Sequence, residues 1–568
     1  MLALVVVATS SPAVSRAQEA TPPRILIVGD SITHGSSGDF TWRYRLDRHL
    51  DAVGADVDLV GPERGLHNLH GEGPSLDYVD PGFDQDHAAR WGASASAPPW
   101  PVGRLVDTYR PDVLVVLLGL NDLVWLGLTP AELESVMRSW VAEAREAKPD
   151  VGFVLGRLTG TNFAGVREYN DRLPALAASL DSPASPVVVS YSDTDFADGR
   201  DTWDPAHPNA RGEVKIAAAM ADALAELGIG APYPRPLPTV PLGPRFAPDL
   251  SVAAGDEAVT LTWDVAPGAL AEYVWWRDVT DGGPWSRTTD PVEGQAWYVD
   301  RLVNWHTYEF VLQPVKGSWA AEDDTRSNVV RVVPVPRAPG VAEDVAVEPH
   351  DYGVSVAWSP AEEATGYRVW WRNVSGDGGW EATTELLGVT TADLSGLVAG
   401  DEYAFRVQAT NDGTWGELSL PVIATPTAPV PVAPSDVRVA VTAGGVATVS
   451  WDAAAHATEY HLFRRDLTVG EEWTRVETEL PITARRHRVP GLRTHHRYAF
   501  TVQSWNMHVA GPMSRSVSAR VPRPAAVRVR RAWSPRRDVV RVTSVPVPGA
   551  DHYRILTVPR RSCGPRPA

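Results

Sequence analysis

The residues best suited to chemistry lie in three short motifs. Ser31 sits in Gly29-Asp30-Ser31-Ile32-Thr33, Asn121 in Gly119-Leu120-Asn121-Asp122, and Asp204 and His207 share Trp203-Asp204-Pro205-Ala206-His207-Pro208-Asn209. A serine hydroxyl is a poor nucleophile until a base takes its proton, and that base must itself be held by a third group. A carboxylate three residues before a histidine reaches it within one turn of chain, so Asp204 can hold one imidazole nitrogen and leave the other for Ser31. An asparagine amide offers uncharged donors at a fixed position, which is what a tetrahedral oxyanion needs. Together these types would carry out acyl transfer through a serine. Each motif also has a plainer reading: a turn with a capping serine, an Asx turn at a strand end, and a helix capped by Asp204 with His207 facing solvent.

Elements that could position these groups surround them. Residues 24 to 228 alternate apolar runs with helix-like stretches, the pattern of an α/β domain with a parallel sheet. The runs are Ile25–Val28, Val57–Val60, Val113–Leu118, Val151–Leu155 and Pro186–Val189, each apolar on both parities, as strands covered on both faces require. Ser31 then follows the first strand and Asn121 the third, at the sheet edge where open α/β proteins place their sites. Thr129-Pro130-Ala131-Glu132 has the make-up of a capping box, and Leu133, Val136, Trp140 and Ala144 mark the buried stripe of the helix it opens.

The GDS, GxND and DxxHP blocks, in this order and on these elements, resemble those of the SGNH (GDSL-type) hydrolases over about residues 24–228. The resemblance implies a three-layer α/β/α fold and ester hydrolysis, with Ser31 as nucleophile, His207 as general base and Asp204 as its orienting carboxylate. It further implies an oxyanion hole of the Ser31 backbone N–H, the Asn121 side chain and a glycine N–H. Gly92, in Ala89-Arg90-Trp91-Gly92-Ala93-Ser94, is the choice for that glycine, with Gly71 and Gly73 as rivals. The wording Gly-Asp-Ser-Ile-Thr, with Arg43-Tyr44-Arg45 after it, is similar to the acetyl-xylan esterase branch, which implies an acetyl ester on a polysaccharide as substrate. A broad small-ester esterase or lipase is the alternative enzyme, although no long apolar lid accompanies the motifs. Trp91, Trp125 and Trp203, with Trp100, lie near the motif loops, where their faces could take a sugar ring or simply pack.

Composition narrows the field. A net charge of −18 would repel a phosphate backbone, so nucleic acid is not the expected partner. No apolar run after the first 20 residues could span a bilayer. His67, His70 and His87 lack ligand spacing, no glycine-rich phosphate loop exists, no carboxylate pair points to a glycosidase, and no cofactor is expected. Cys563 is the only cysteine, so there is no intrachain disulfide. The apolar run Leu2–Ala8 and the small residues up to Ala17 read as an export signal within residues 1–20, and export without disulfides points to a secreted, bacterial protein. From Arg523 on, eleven arginines face two aspartates, a basic tail that reads as a truncated module or as a contact for an anionic cell wall.

The remainder repeats itself. Trp263, Trp358 and Trp451 are spaced 95 and 93 residues apart, and Tyr308, Tyr403 and Tyr498 are spaced 95 and 95, with Leu302, Leu397 and Leu492 six before each tyrosine. These units resemble fibronectin type III β-sandwiches at 244–334, 338–426 and 433–522. A fourth copy over 523–568 has Tyr553 but Ser544 in place of its tryptophan. The proline-rich run 229–243 should act as a stiff spacer that keeps the sandwiches clear of the enzyme. In the Trp275-Trp276 and Trp370-Trp371 pairs one indole should face in and the other out. A reading of another class is an adhesion protein whose catalytic domain is vestigial.

Overall fold

In the computed structural model of the protein, residues 21–556 are described, apart from 508, 538, 548, 549 and 551. The export signal, Cys563 and the end of the basic tail therefore lie outside the described residues. The chain divides into two units, one ending at Val335 and the other starting at Pro336.

The first unit begins with β1 (Arg24–Gly29), α1 (Ser31–His34), α2 (Trp42–Ala52), β2 (Asp58–Val60), α3 (Val102–Tyr109), β3 (Val113–Leu117) and α4 (Leu120–Val124). It continues with α5 (Pro130–Ala147), β4 (Gly152–Gly156), α6 (Val166–Leu180), β5 (Val187–Ser190) and α7 (Ala210–Glu226). The five strands are parallel in the order β2-β1-β3-β4-β5, with the short Ala88–Ala89 segment also pairing with β1. Helices α2 and α7 pack together as one layer and α3, α5 and α6 as the other. Strand β1 is sealed between them, with Ile25, Leu26 and Ile27 fully buried. The chain leaves β1 toward β2 and returns to the other side as β3, so the β1 and β3 ends flank the point where ligands bind in such sheets. Their register sets Gly29 opposite Leu117.

Helix α5 opens as its sequence predicts. Thr129 Oγ1 accepts from the Glu132 N–H, and the Glu132 carboxylate accepts from the Thr129 N–H at 2.8 Å. Met137 is buried where the expected stripe had Val136, which is only half-buried against the same core.

Beyond α7 a β-sandwich completes the first unit. Leu250–Ala254, Val259–Trp263 and Ala296–Val299 form one sheet; Ser286–Arg287, Ala271–Asp278, Tyr308–Lys316 and Trp319–Ala320 form the other, joined by Val330–Val332. The second unit repeats this plan twice, so the expected order of an α/β domain followed by β-sandwiches is what the chain has. The three repeat tryptophans and three late tyrosines are buried. Each tyrosine hydroxyl accepts a backbone N–H five residues upstream, from Val303, Val398 and Arg493 at 3.0, 3.1 and 3.1 Å. This is the corner bond of immunoglobulin-like sandwiches. Trp276 and Trp371 pack on the cores, while Trp275 and Trp370 lie on the other face and donate to Gln313 and Gln408. In the fourth copy only a hairpin, Val529–Arg536 with Val539–Ser544, is formed among the described residues, and the Tyr553 hydroxyl accepts from the Val547 N–H at 2.7 Å.

One expectation is overturned. The proline-rich run does not hold the first sandwich away from the α/β domain. His49 Nε2 donates to the Ala231 carbonyl at 2.7 Å, the Tyr233 N–H donates to Asp222, and Arg235 pairs with Asp222, so the run lies along α2 and α7. The sandwich then docks: His70 Nε2 donates to the Ala269 carbonyl at 2.6 Å and Trp319 Nε1 to the Thr202 carbonyl at 3.0 Å. Proline stiffness predicted extension, but extension along a surface satisfies the same backbone.

Candidate active site

The turn out of β1 is built for close approach. A Cβ on Gly29 would lie 2.1 Å from Thr33 Oγ1 and 2.8 Å from the Leu117 carbonyl, so only glycine lets β1 end against both α1 and β3. Asp30 caps α1 by accepting from the Ile32 N–H at 3.0 Å, and Ser31 follows as the first helical residue. Burial pushes the Asp30 carboxyl up to about 7, against the lowering pull of the Ile32 N–H and His207. Arg43, fully buried, donates to the Thr33 and His34 carbonyls and pins the end of α1.

Across the cleft, Asp204 organises its own loop. One oxygen accepts from the His207 and Ala206 N–H groups at 2.6 and 2.9 Å, and the other meets His207 Nδ1 at 2.6 Å. Burial would raise the Asp204 carboxyl, but the bond to His207, the ring's charge and the two N–H groups outweigh it and hold it below the usual carboxylate range. With Nδ1 engaged, Nε2 is the nitrogen left to take a proton.

Asn121 lies in α4, where its amide donates to the Ala93 carbonyl at 2.8 Å, leaving one N–H hydrogen uncommitted. Gly92 precedes that carbonyl at φ +75, a left-handed conformation that favours glycine. Asp122 fixes the same loop by accepting from the Ala95 and Ser96 N–H groups at 2.7 and 2.8 Å, and Trp140 Nε1 donates to the Ala95 carbonyl. Ser31, Gly92, Asn121, Asp204 and His207 all line one open cleft of about 560 Å³, whose remaining wall includes Val124, Trp125, Leu126 and Phe163. Neither Gly71 nor Gly73 is on that wall.

The tryptophans divide. Trp91 stacks on His67 and on His207, each ring 4.2 Å from its centroid, and two imidazoles at that distance cannot share one face. Trp203 stacks on His207 at 5.3 Å, so the imidazole lies between two indoles. Of the two roles open to these indoles, sugar stacking or packing, Trp91 packs, with both faces taken, and Trp203 has one face on His207. Trp125, 78% exposed, keeps its face free. The indole–imidazole stack had no signal in sequence, since its members are 67, 91, 203 and 207. Asp122 and Arg43 stood inside or beside the motifs without an assigned role.

His87 and His34 have structural partners. The His87 ring accepts from the Ala89 N–H and donates to the Gly65 carbonyl, and burial holds it well below its ordinary range. His34 accepts from the Trp91 N–H at 3.1 Å, and burial, helped by Arg43, pulls it down to about 3. Among the described residues, the one group able to offer three metal-ligand atoms is Asp278, Asp281 and His306 in the first sandwich. Equivalent positions hold an Asn373–Asp401 hydrogen bond and a His496–Asp466 pair in the later copies, so the position serves as a cross-strand tie.

Comparison with known proteins follows the same division. Residues 27–214 match the GDSL-like Lipase/Acylhydrolase family, and residues 338–425 and 432–520 match the fibronectin type III domain. The chain carries a GDSL-like lipase/acylhydrolase domain followed by fibronectin type III domains. Among solved structures it is similar to a carbohydrate esterase family 3 protein from Talaromyces cellulolyticus, at 24% identity and a TM-score of 0.32, over 36% of this chain and 97% of that one. It is also similar to an acetyl esterase mutant solved with acetate, at 23% identity and a TM-score of 0.32, over 36% and 97%. The chicken CNTN1 FN1–FN3 domains align over 49% of this chain and 99% of theirs, at 20% identity and a TM-score of 0.17. A mouse neuronal cell adhesion molecule is 24% identical over 320 residues, 52% of this chain, and the chain spans about 25% of that relative's length. No helix among the described residues is long and apolar enough to cross a membrane.

Proposed function

We propose that the protein is an exported bacterial serine esterase that removes acyl groups, acetyl first among them, from a polysaccharide. The observation that carries the reading is the 2.6 Å bond that His207 Nδ1–H donates to Asp204, with Ser31 on the wall of the same cleft. In the reaction Ser31 Oγ attacks the ester carbonyl while His207 Nε2 takes its proton. The oxyanion forms toward the Ser31 and Gly92 N–H groups and the Asn121 amide. His207 then returns the proton to the leaving alcohol, and water, activated by the same ring, releases the acid from Ser31. Asp204 stays ionised throughout and stabilises the imidazolium.

The apolar wall of Val124, Trp125, Leu126 and Phe163 favours a second reading, an esterase for small esters with longer acyl chains. A fluorophosphonate probe tests the chemistry: it should label wild type once per chain and leave Ser31→Ala unlabelled, with ester hydrolysis lost by several orders of magnitude. Labelling that persists in Ser31→Ala would remove this mechanism. Rates on acetylated xylan against p-nitrophenyl esters of increasing length separate the two substrate readings.

A further inference from the structure

The hairpin joining Tyr308–Lys316 to Trp319–Ala320 belongs to the first sandwich, yet its tip meets the turn that follows Ser31 and the loop that carries His207. Lys316, 5% exposed, extends Nζ to Ser36 Oγ at 2.8 Å and to Asp39 Oδ1 at 2.5 Å. Ser36 and Asp39 form the turn that leaves α1, and they are bonded to each other: the other Asp39 oxygen accepts from the Ser36 N–H and hydroxyl at 3.0 and 2.6 Å. The same Nζ lies 5.0 Å from the centroid of Trp203, whose ring stacks on His207. One cation thus touches the turn behind Ser31 and the indole behind His207, elements about 170 residues apart in sequence.

The rest of the hairpin presses on that indole's own backbone. Trp319 Nε1 donates to the Thr202 carbonyl at 3.0 Å, and Arg211 lies 5.7 Å over the Trp319 ring. Gly317, at φ +59, is so close that a Cβ there would fall 1.8 Å from the Trp203 carbonyl oxygen. Glycines close the seam elsewhere too: a Cβ on Gly38 would lie 2.4 Å from the Pro267 carbonyl oxygen. A buried ammonium with two hydrogen-bonded partners is fixed in place, because leaving either partner unpaired is costly.

We propose that the first sandwich is a working part of the esterase, its Lys316–Trp319 hairpin clamping the Ser31 turn and the Trp203–His207 loop in register, with Lys316 as a positioning residue that acts through Trp203 and Asp39. The proposal rests on the esterase reading of the cleft. Loss of the clamp leaves every reacting group in the chain but loosens the angle between nucleophile and base, and small misplacements of reacting groups cost about 10²-fold in rate.

The test uses the full chain with Lys316→Met and, separately, Gly317→Val, assayed on p-nitrophenyl acetate and with a fluorophosphonate. Both variants should lose at least tenfold in kcat with KM within twofold of wild type. Fluorophosphonate labelling should reach the same final stoichiometry at a rate lowered by a similar factor, which a loss of folded protein would not produce. Wild-type kcat within twofold in both variants would overturn the clamp, as would a drop in labelled stoichiometry at an unchanged labelling rate. Wild type that neither labels nor hydrolyses the ester would remove the esterase reading and the clamp with it.

Discussion

Replacing Asp204 with Asn isolates one atom of the proposed triad. In the native loop one oxygen of Asp204 accepts from the His207 and Ala206 N–H groups and the other faces His207 Nδ1 at 2.6 Å. An amide keeps the first oxygen, so the turn survives, but it offers N–H where Nδ1–H had donated. His207 must then carry its proton on Nε2, the nitrogen that has to accept from Ser31. A wrong tautomer of this kind costs about 10⁴-fold in kcat in a Ser-His-Asp triad, or about 5.4 kcal/mol at 1.36 kcal/mol per tenfold. Asp204→Ala loses the turn as well: two backbone donors at about 0.5–1.5 kcal/mol each lower stability by roughly 1–3 kcal/mol. Initial rates on p-nitrophenyl acetate, with denaturant midpoints for both variants, separate the effects. Asp204→Asn should be nearly inactive with a native midpoint, and Asp204→Ala inactive with a lowered one. If Asp204→Asn keeps kcat within tenfold, Asp204 does not set the tautomer and the triad assignment fails.

Asn121→Ala should lower kcat about 10²- to 10³-fold with little change in KM, and an effect confined to KM would make Asn121 a substrate-binding group instead. Asp30 is an acid whose folded pKa, about 7, is raised above the ordinary 3.8, so the folded chain holds a proton the unfolded chain has lost and stability falls as pH rises between those values. Asp30→Asn should therefore raise the melting temperature relative to wild type more at pH 8 than at pH 5; an equal change at both would show that Asp30 ionises freely. A chain ended after Val335 should keep full soluble-ester activity while one ended at Gly230 loses most of it, and equal kcat in the two would make the first sandwich a passenger.

The sequence revealed what is local or periodic. Ser31, Asn121 and Asp204 with His207 were legible because each motif sits at a strand end or within one turn of chain, and strand order then converges on one cleft. The sandwiches were legible because a buried tryptophan and a corner tyrosine recur at a fixed distance. What stayed hidden depends on distant pairs. Lys316 meets Asp39 from 277 residues away, and nothing in Val315-Lys316-Gly317-Ser318 marks it as a clamp. The proline run misled because composition reports stiffness and not what the stiff segment lies against. The tryptophans stayed open between packing and stacking on a sugar for a related reason: indoles near a site were visible, but which ring would cover each face was not.

That division of the indoles bears on how a polymer would be treated. Of the tryptophans around the motif loops, Trp91 is enclosed by imidazoles, Trp203 lies against His207 and Lys316, and Trp100 is covered by Arg90 at 4.6 Å, which leaves Trp125 as the open platform. Enzymes that slide along a chain hold several consecutive units while the next one moves in. If the proposed polysaccharide is the substrate, a rim with one exposed indole holds it at one place, so each acyl group would be met in a fresh encounter, and the groups removed would be scattered along the polymer and not cleared in runs.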